Sequence, residues 1–188
     1  MVKIIGVSGS LRQGSYNAAL LRAAKELAPR DCAVEIGTIQ GIPLYNQDEQ
    51  DASGVPPAVA ALKDRFAAAD GILLVTPEYN NSLPGVFKNA IDWLSRPMDD
   101  IARVFKNKPV GLIGATPGPR GTVFSQTAWL PVFRVLGMRP WFGSLIYLDN
   151  AGKFFDAAGN LTDAALRERV KSYMEGFADF VAAGKQGK

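Results

Sequence analysis

The chain of 188 residues contains no histidine. Without histidine it can form neither a Ser-His-Asp nor a Cys-His nucleophilic group, and it lacks the commonest protein ligand of zinc and iron. Nucleophilic catalysis of these two kinds is therefore excluded, and no metal site is expected.

Cysteine and long apolar runs are also scarce. The single cysteine, Cys32, can form no internal disulfide; beside Ala33 and Val34 it is interpreted as a small buried hydrophobe rather than a reactive thiol. No apolar run approaches the ~20 residues of a membrane span, and the first residues lead directly into a strand without the apolar core of a signal peptide. We expect a soluble cytoplasmic protein with no membrane partner.

The charge pattern argues against a nucleic-acid partner. The net charge is only +3, and the basic and acidic residues are interspersed. With 47% hydrophobic and 21% charged residues the composition is that of an ordinary globular protein, and the length suits one α/β domain.

Apolar strand patterns alternate with helix patterns along the whole chain. Strands are predicted at residues 3–8, 33–36, 71–76, 109–115 and 143–147, and helices at 15–28, 57–69, 84–94, 122–136 and 162–183. Thr162 is the expected N-cap of the last helix, and residues 184–188 are expected to fray. This order predicts a single doubly wound α/β domain over residues 1–188, with a parallel sheet and helices on both faces.

Ligands of such sheets bind beyond the carboxyl ends of the strands. The loops after strands one, three and four are rich in Gly, Pro, Ser, Thr and Asn; we name them loop A (residues 9–15), loop B (residues 76–82) and loop C (residues 116–121). We therefore expect the three loops to line one crevice.

Loop A and the helix after it have the donors that bind a phosphate. The candidate ligands are Ser10, Arg12, Ser15 and Asn17. A helix N-terminus adds free N–H groups and partial positive charge, and Gly9 and Gly14 would let the backbone approach the anion. The spacing fits neither a P-loop nor the dinucleotide fingerprint, so a terminal monophosphate suits it better. The alternative is a Ser-capped turn that binds nothing.

Loop B is unusually stiff, since prolines stand at 77 and 84. Pro77, Glu78, Tyr79 and Asn80 lie at its start, with Glu78 and Asn80 offering mainly main-chain groups and Tyr79 an edge. Such a loop can present backbone donors to a flavin ring, and Thr116 and Gly118 of loop C would lie near the same ring. Alone, loop B reads equally as a rigid connection; together with loop A it predicts a flavin mononucleotide (FMN) site.

At these positions the chain resembles the NADPH-dependent FMN reductase family, the flavodoxin-like quinone, azo-dye and chromate reductases. The matching segments are Gly9-Ser-Leu-Arg12 with Ser15 and Asn17, Ile42-Pro-Leu-Tyr45, Thr76-Pro-Glu-Tyr-Asn80, Lys88-Asn-Ala-Ile-Asp-Trp-Leu-Ser-Arg96 and Lys108-Pro-Val110. The resemblance implies a five-stranded sheet of order 2-1-3-4-5, bound FMN, and homodimers or homotetramers. By position it assigns the phosphate to Ser10, Arg12, Ser15 and Asn17, and the isoalloxazine to residues 77–80 and Thr116.

The chain departs from that family in loop C. Relatives usually have a Ser- and Gly-rich loop that ends in Gly-Gly, whereas here Pro117 and Pro119 stiffen the loop and Thr122 replaces the second glycine. This change bears on how a nicotinamide or an acceptor fits above the ring.

If FMN binds, the cofactor carries the chemistry. The expected reaction passes hydride from NADPH or NADH to flavin N5 and then electrons to a quinone-like, azo, flavin or metal-oxyanion acceptor, with ping-pong kinetics. Arg12 and Arg120 are both candidates for the 2′-phosphate of NADPH. The alternatives are a flavodoxin-type electron carrier, which the basic charge disfavours, and a flavin-based redox sensor.

Three further features are interpreted structurally. Trp93 is expected in the core. The stripe formed by Trp129, Phe133 and Leu136 fits either the core or a subunit interface. Lys88 and Asp92, four residues apart on one helix, are expected to form a surface ion pair.

Overall fold

A computed structural model describes residues 1–186 of the chain. Its strands are β1 (Val2–Ser8), β2 (Cys32–Gly37), β3 (Gly71–Val75), β4 (Pro109–Ala115), β5 (Arg139–Pro140) and β6 (Ile146–Leu148). Its α-helices are α1 (Tyr16–Glu26), α2 (Gln47–Ser53), α3 (Pro57–Ala68), α4 (Gly85–Leu94), α5 (Ile101–Val104), α6 (Val123–Val135) and α7 (Ala164–Gln186).

The strands form one parallel sheet of order β2-β1-β3-β4-β5, and β6 also pairs with β4. The predicted flavodoxin-like order is confirmed. The fifth position is occupied by two short strands, because Pro109 pairs with Arg139 and Ile113 with Ile146 while the segment between them leaves the sheet. The strand predicted at residues 143–147 therefore begins only at Ile146.

Each face of the sheet has its own core, because successive side chains of a strand point to opposite faces. Ile4 belongs to the cluster that includes Leu20 of α1 and Phe177 of α7. Ile5 belongs to the cluster that includes Phe66 of α3 and Trp129 of α6. The helices thus cover both faces of the sheet, as predicted.

Two local predictions need correction. The Gly, Pro and Asn content of residues 41–48 predicts irregular structure, but the stretch ends in the first turn of α2, where the Asn46 side chain accepts a hydrogen bond from Asp48 N. The side chain that caps α7 is that of Asp163, not Thr162: Asp163 Oδ1 accepts from Leu166 N at 2.7 Å. Helix α7 also continues three residues past its predicted end, to Gln186. Residues 187 and 188, the rest of the tail that is expected to fray, lie outside the described residues.

Two of the tryptophans, Trp93 and Trp129, lie in the core. Trp93 is 1% exposed, as predicted, and its indole N–H donates to Pro43 O at 2.9 Å. Trp129, Phe133 and Leu136 are all buried, which decides between core and interface in favour of the core.

The predicted interpretations of the ion pair and the cysteine are confirmed. Lys88 and Asp92 pair at 2.6 Å, with side chains 37% and 40% exposed. Cys32 is buried, and desolvation, followed by the charge of Asp31, raises the pKa of its thiol to about 11. Among the helices of residues 1–186, none has the length and apolar character that crossing a membrane requires.

Candidate functional site

Loops A, B and C meet at the carboxyl end of the sheet, where they line a cleft of about 200 Å³. Eight of the ten residues predicted for the site line it: Ser10, Arg12, Ser15, Asn17, Pro77, Glu78, Tyr79 and Thr116. Tyr16, Ala115 and Pro117 also contribute to the wall, whereas Asn80 and Gly118 do not.

The first turn of α1 provides hydrogen-bond donors that no protein group uses. Ser15 is the N-cap, and its Oγ accepts from Ala18 N at 3.3 Å, so the hydroxyl proton remains available. The N–H groups of Tyr16 and Asn17 find no acceptor within residues 1–186. A hydroxyl and two free amides at a helix N-terminus form a suitable site for a phosphate.

The Arg12 side chain lies along loop A. It donates to the carbonyl oxygen of Gly14, and its guanidinium carbon lies 5.6 Å from the centre of the Tyr16 ring. The Ser10 hydroxyl oxygen accepts from Arg12 N at 3.3 Å, which shapes the turn beneath it. The positive charge is therefore held beside the free amides of α1.

Asn17 has a structural role that the sequence did not reveal. Its side chain is buried, donates from Nδ2 to Ala115 O at 2.8 Å and accepts from Ala115 N at 2.9 Å. This pair of bonds joins the first turn of α1 to the end of β4. Contact of Asn17 with a phosphate stays a prediction.

Packing explains why residue 9 is a glycine. A Cβ at Gly9 would lie 2.2 Å from Cδ1 of Phe87, a fully buried residue of α4. At Gly14, by contrast, the nearest atom to an added Cβ is Arg12 Nη2 at 4.0 Å. Glycine at position 9 thus permits close contact between loop A and α4.

Loop B contains a tight two-residue turn. Tyr79 and Ser82 exchange both backbone hydrogen bonds, and the two residues between them, Asn80 and Asn81, have φ of 51° and 58°. Both positive φ values match a type I′ turn, which asparagine tolerates well. The N–H groups of Glu78 and Asn80 have no acceptor in the part of the chain that the structure describes, so they remain free to bind a ligand.

Helix α6 contacts the start of loop B through a buried polar cluster. Trp129 Nε1 donates to Thr76 Oγ1 at 3.0 Å, and the hydroxyl oxygens of Thr76 and Ser125 lie 2.9 Å apart. Ser125 N donates to Glu78 Oε2 at 3.0 Å. Sequence reasoning missed this cluster because its members are about fifty residues apart and no local pattern connects them.

Loop C contributes mainly through its backbone shape. Thr116 lines the cleft, and its Oγ1 accepts from Gly118 N at 3.3 Å, so Gly118 shapes the turn instead of reaching the cleft. Thr122, which replaces the expected glycine, is fully buried. The absence of a side chain at Gly114 leaves space for Thr122, since a Cβ at that position would lie only 2.2 Å from Thr122 Oγ1.

The cleft wall includes one cation and one carboxylate, Arg12 and Glu78. Arg120, the other candidate for the 2′-phosphate of NADPH, is not among the residues that line it. Its guanidinium carbon lies 5.8 Å from the centre of the Phe124 ring.

Comparisons with known proteins agree with this geometry. The sequence profile of the family described as NADPH-dependent FMN reductase matches residues 2–153. An NAD(P)H-dependent FMN reductase of Pseudomonas aeruginosa is 41% identical over 174 residues, which are 93% of this chain and 92% of that protein. A 2-hydroxy-1,4-benzoquinone reductase of a Burkholderia species is 38% identical over 180 residues, 96% of each chain.

A solved structure is similar over nearly its whole length. FerB, a flavoenzyme NAD(P)H:(acceptor) oxidoreductase from Paracoccus denitrificans, superposes with a TM-score of 0.87 at 30% identity. The match covers 98% of this chain and 99% of that chain.

Proposed function

Since the chain belongs to the NADPH-dependent FMN reductase family, we propose that it binds FMN in the cleft and uses NADPH or NADH to reduce a small quinone-like acceptor. The observation that carries this proposal is that residues with free backbone donors, Tyr16, Asn17 and Glu78, line one cleft. Tyr16 and Asn17 lie at the N-terminus of α1, and Glu78 lies in loop B.

The residues present fit the parts of FMN. The phosphate would be bound by the free amides of α1, the hydroxyls of Ser10 and Ser15 and the charge of Arg12. The isoalloxazine would lie against residues 77–80, where the amides of Glu78 and Asn80 are free and Tyr79 offers an edge that is 45% exposed.

FMN, when bound, supplies the hydride and electron transfer chemistry. The protein binds and orients the cofactor and keeps one side of the cleft open. Because the nicotinamide donor and the acceptor would use the same open cleft, they must occupy it in turn, which gives ping-pong kinetics. A quinone is the acceptor class we propose, since the Burkholderia relative is named for reducing one.

A visible spectrum tests the proposal directly. The protein is saturated with FMN, gel-filtered, and measured before and after NADPH is added without oxygen. The expected result is a retained flavin band that bleaches rapidly and recovers when a benzoquinone is added. A retained band that does not bleach would favour an electron carrier or a sensor, and loss of the band on gel filtration would contradict the FMN site.

A further inference from the structure

Helix α6 begins without a cap from its own chain segment. Thr122 occupies the N-cap position but makes no side-chain cap bond, since its Oγ1 accepts from Gln126 Nε2 at 3.0 Å. The amide of Ser125, third residue of the helix, donates instead to Glu78 of loop B at 3.0 Å. A carboxylate 47 residues earlier therefore takes the place of the usual local cap.

The cap is part of a larger contact between α6 and loop B. Thr76 and Ser125 are fully buried, and their hydroxyl oxygens lie 2.9 Å apart. Thr76 also donates to Pro77 O at 3.0 Å and accepts from Trp129 Nε1. Three consecutive residues, 76–78, are thus bonded to the first two turns of α6 or to each other.

The start of loop B is also held by the sheet, since Thr76 N donates to Ile113 O at 2.8 Å, but the Glu78 side chain adds the contact to α6. After β3 ends at Val75, the loop is held by one two-residue turn whose asparagines both have positive φ. A hydrogen bond to an ionised acceptor at a helix N-terminus is stronger than a bond between neutral groups. The Glu78 bond is therefore a strong restraint on the part of loop B that has free amides.

We propose that Glu78 is a positioning residue: by capping α6, its carboxylate holds the backbone of loop B in the conformation that offers the Glu78 amide to FMN. This inference rests on the proposed function. The family motif indicates a role for the backbone of this segment. The contact with α6 adds a role for the Glu78 side chain.

Titration of flavin-free protein with FMN, followed by the quenching of flavin fluorescence, tests the inference. Glu78→Ala is expected to raise the Kd for FMN about tenfold, because an unrestrained loop must be ordered on binding. Glu78→Gln is expected to stay within about threefold of the unchanged protein, because the amide oxygen still accepts from Ser125 N. This rescue separates capping from a requirement for negative charge.

The matched control is Asp163→Ala. Asp163 caps α7 through Leu166 N at 2.7 Å and does not line the cleft, so its loss removes a similar helix cap without touching loop B. Its thermal midpoint is expected to fall, and its Kd for FMN to stay unchanged. Ser125→Ala removes the hydroxyl contact to Thr76 from a residue outside the cleft wall; an increase in Kd of about threefold is expected.

The outcomes distinguish the two proposals. FMN binding by the unchanged protein together with an unaltered Kd in Glu78→Ala would overturn the role of Glu78 and leave the proposed function standing. A loss in Glu78→Gln as large as in Glu78→Ala, or an equal loss in Asp163→Ala, would also overturn it. Should Glu78→Ala fail to fold, Glu78→Gln decides: a Kd within about threefold of the unchanged protein supports the cap, and a larger loss overturns it. No FMN binding by the unchanged protein would overturn the proposed function and this inference with it.

Discussion

Replacement of Asn17, the side-chain amide of the cleft wall, by alanine should strongly destabilise the protein. The change removes both hydrogen bonds to Ala115, at 2.8 and 2.9 Å, and leaves the N–H and C=O of Ala115 without partners. Asn17 is 4% exposed and Ala115 is 2% exposed, so water cannot easily replace the lost partner. The hydrogen-bonded link between α1 and β4 is lost at the same time.

The magnitude follows from the cost of unpaired buried groups. Each of the two groups costs about 1–3 kcal/mol, so Asn17→Ala is expected to lower the free energy of unfolding by about 2–6 kcal/mol. For a chain of this size 1 kcal/mol corresponds to roughly 2–4 °C, so a loss near 3 kcal/mol shifts Tm by roughly 6–12 °C.

Asn89 provides a matched control on the same type of side chain. Its Oδ1 accepts from Tyr45 N and its Nδ2 donates to Pro43 O, each at 2.8 Å, but the site is only partly buried. Water can solvate the groups left behind, so Asn89→Ala is expected to cost about 1 kcal/mol. Urea unfolding of flavin-free protein, followed by far-UV circular dichroism, measures the loss of stability in both variants. Equal losses in the two variants, or a loss below 1 kcal/mol for Asn17→Ala, would refute the reasoning.

Arg12→Ala should raise the Kd for FMN roughly tenfold and make it less dependent on salt, measured by fluorescence titration; an unchanged Kd would remove Arg12 from the phosphate site. Gly9→Ala should cost about 1–3 kcal/mol in urea unfolding because Phe87 must move, whereas Gly14→Ala should be nearly neutral. Because folding raises the pKa of Cys32 from 9.0 to about 11, its contribution to stability is complete below pH 9 and is lost as the pH rises toward 11. Cys32→Ala should flatten that part of the curve of unfolding midpoint against pH; an unchanged slope would contradict the burial of the thiol.

The sequence predicted the sheet well because its strands are strongly patterned. β3 is buried along its whole length and β4 likewise, and such apolar runs between helices indicate a parallel sheet. The fifth position was harder to predict. Arg139–Pro140 is too short to show a pattern, and its pairing with β4 depends on contacts distant in the sequence.

In the candidate site, too, features that are local in the sequence could be predicted and contacts between distant residues could not. The donors of loop A could be predicted because a strand, a Ser-rich turn and a helix follow one another directly, and local geometry then places the free amides. The bonds of Asn17 to Ala115 and of Ser125 to Glu78 could not, since each joins residues from 47 to 98 positions apart. The reason for glycine at position 9 depends likewise on Phe87, a residue of another helix.

What the sequence determined by itself is therefore local: the alternation of strands and helices, the Ser- and Gly-rich turn before α1, the stiffness of loop B and the motifs that mark the family. Burial then followed from periodicity, because residues one or two turns apart share a face. The tertiary structure decided which distant groups meet, namely the asparagine that joins α1 to β4 and the carboxylate that caps α6 from loop B. Hydrogen-bond donors find their acceptors through space, and only the packed chain brings those groups within about 3 Å of each other.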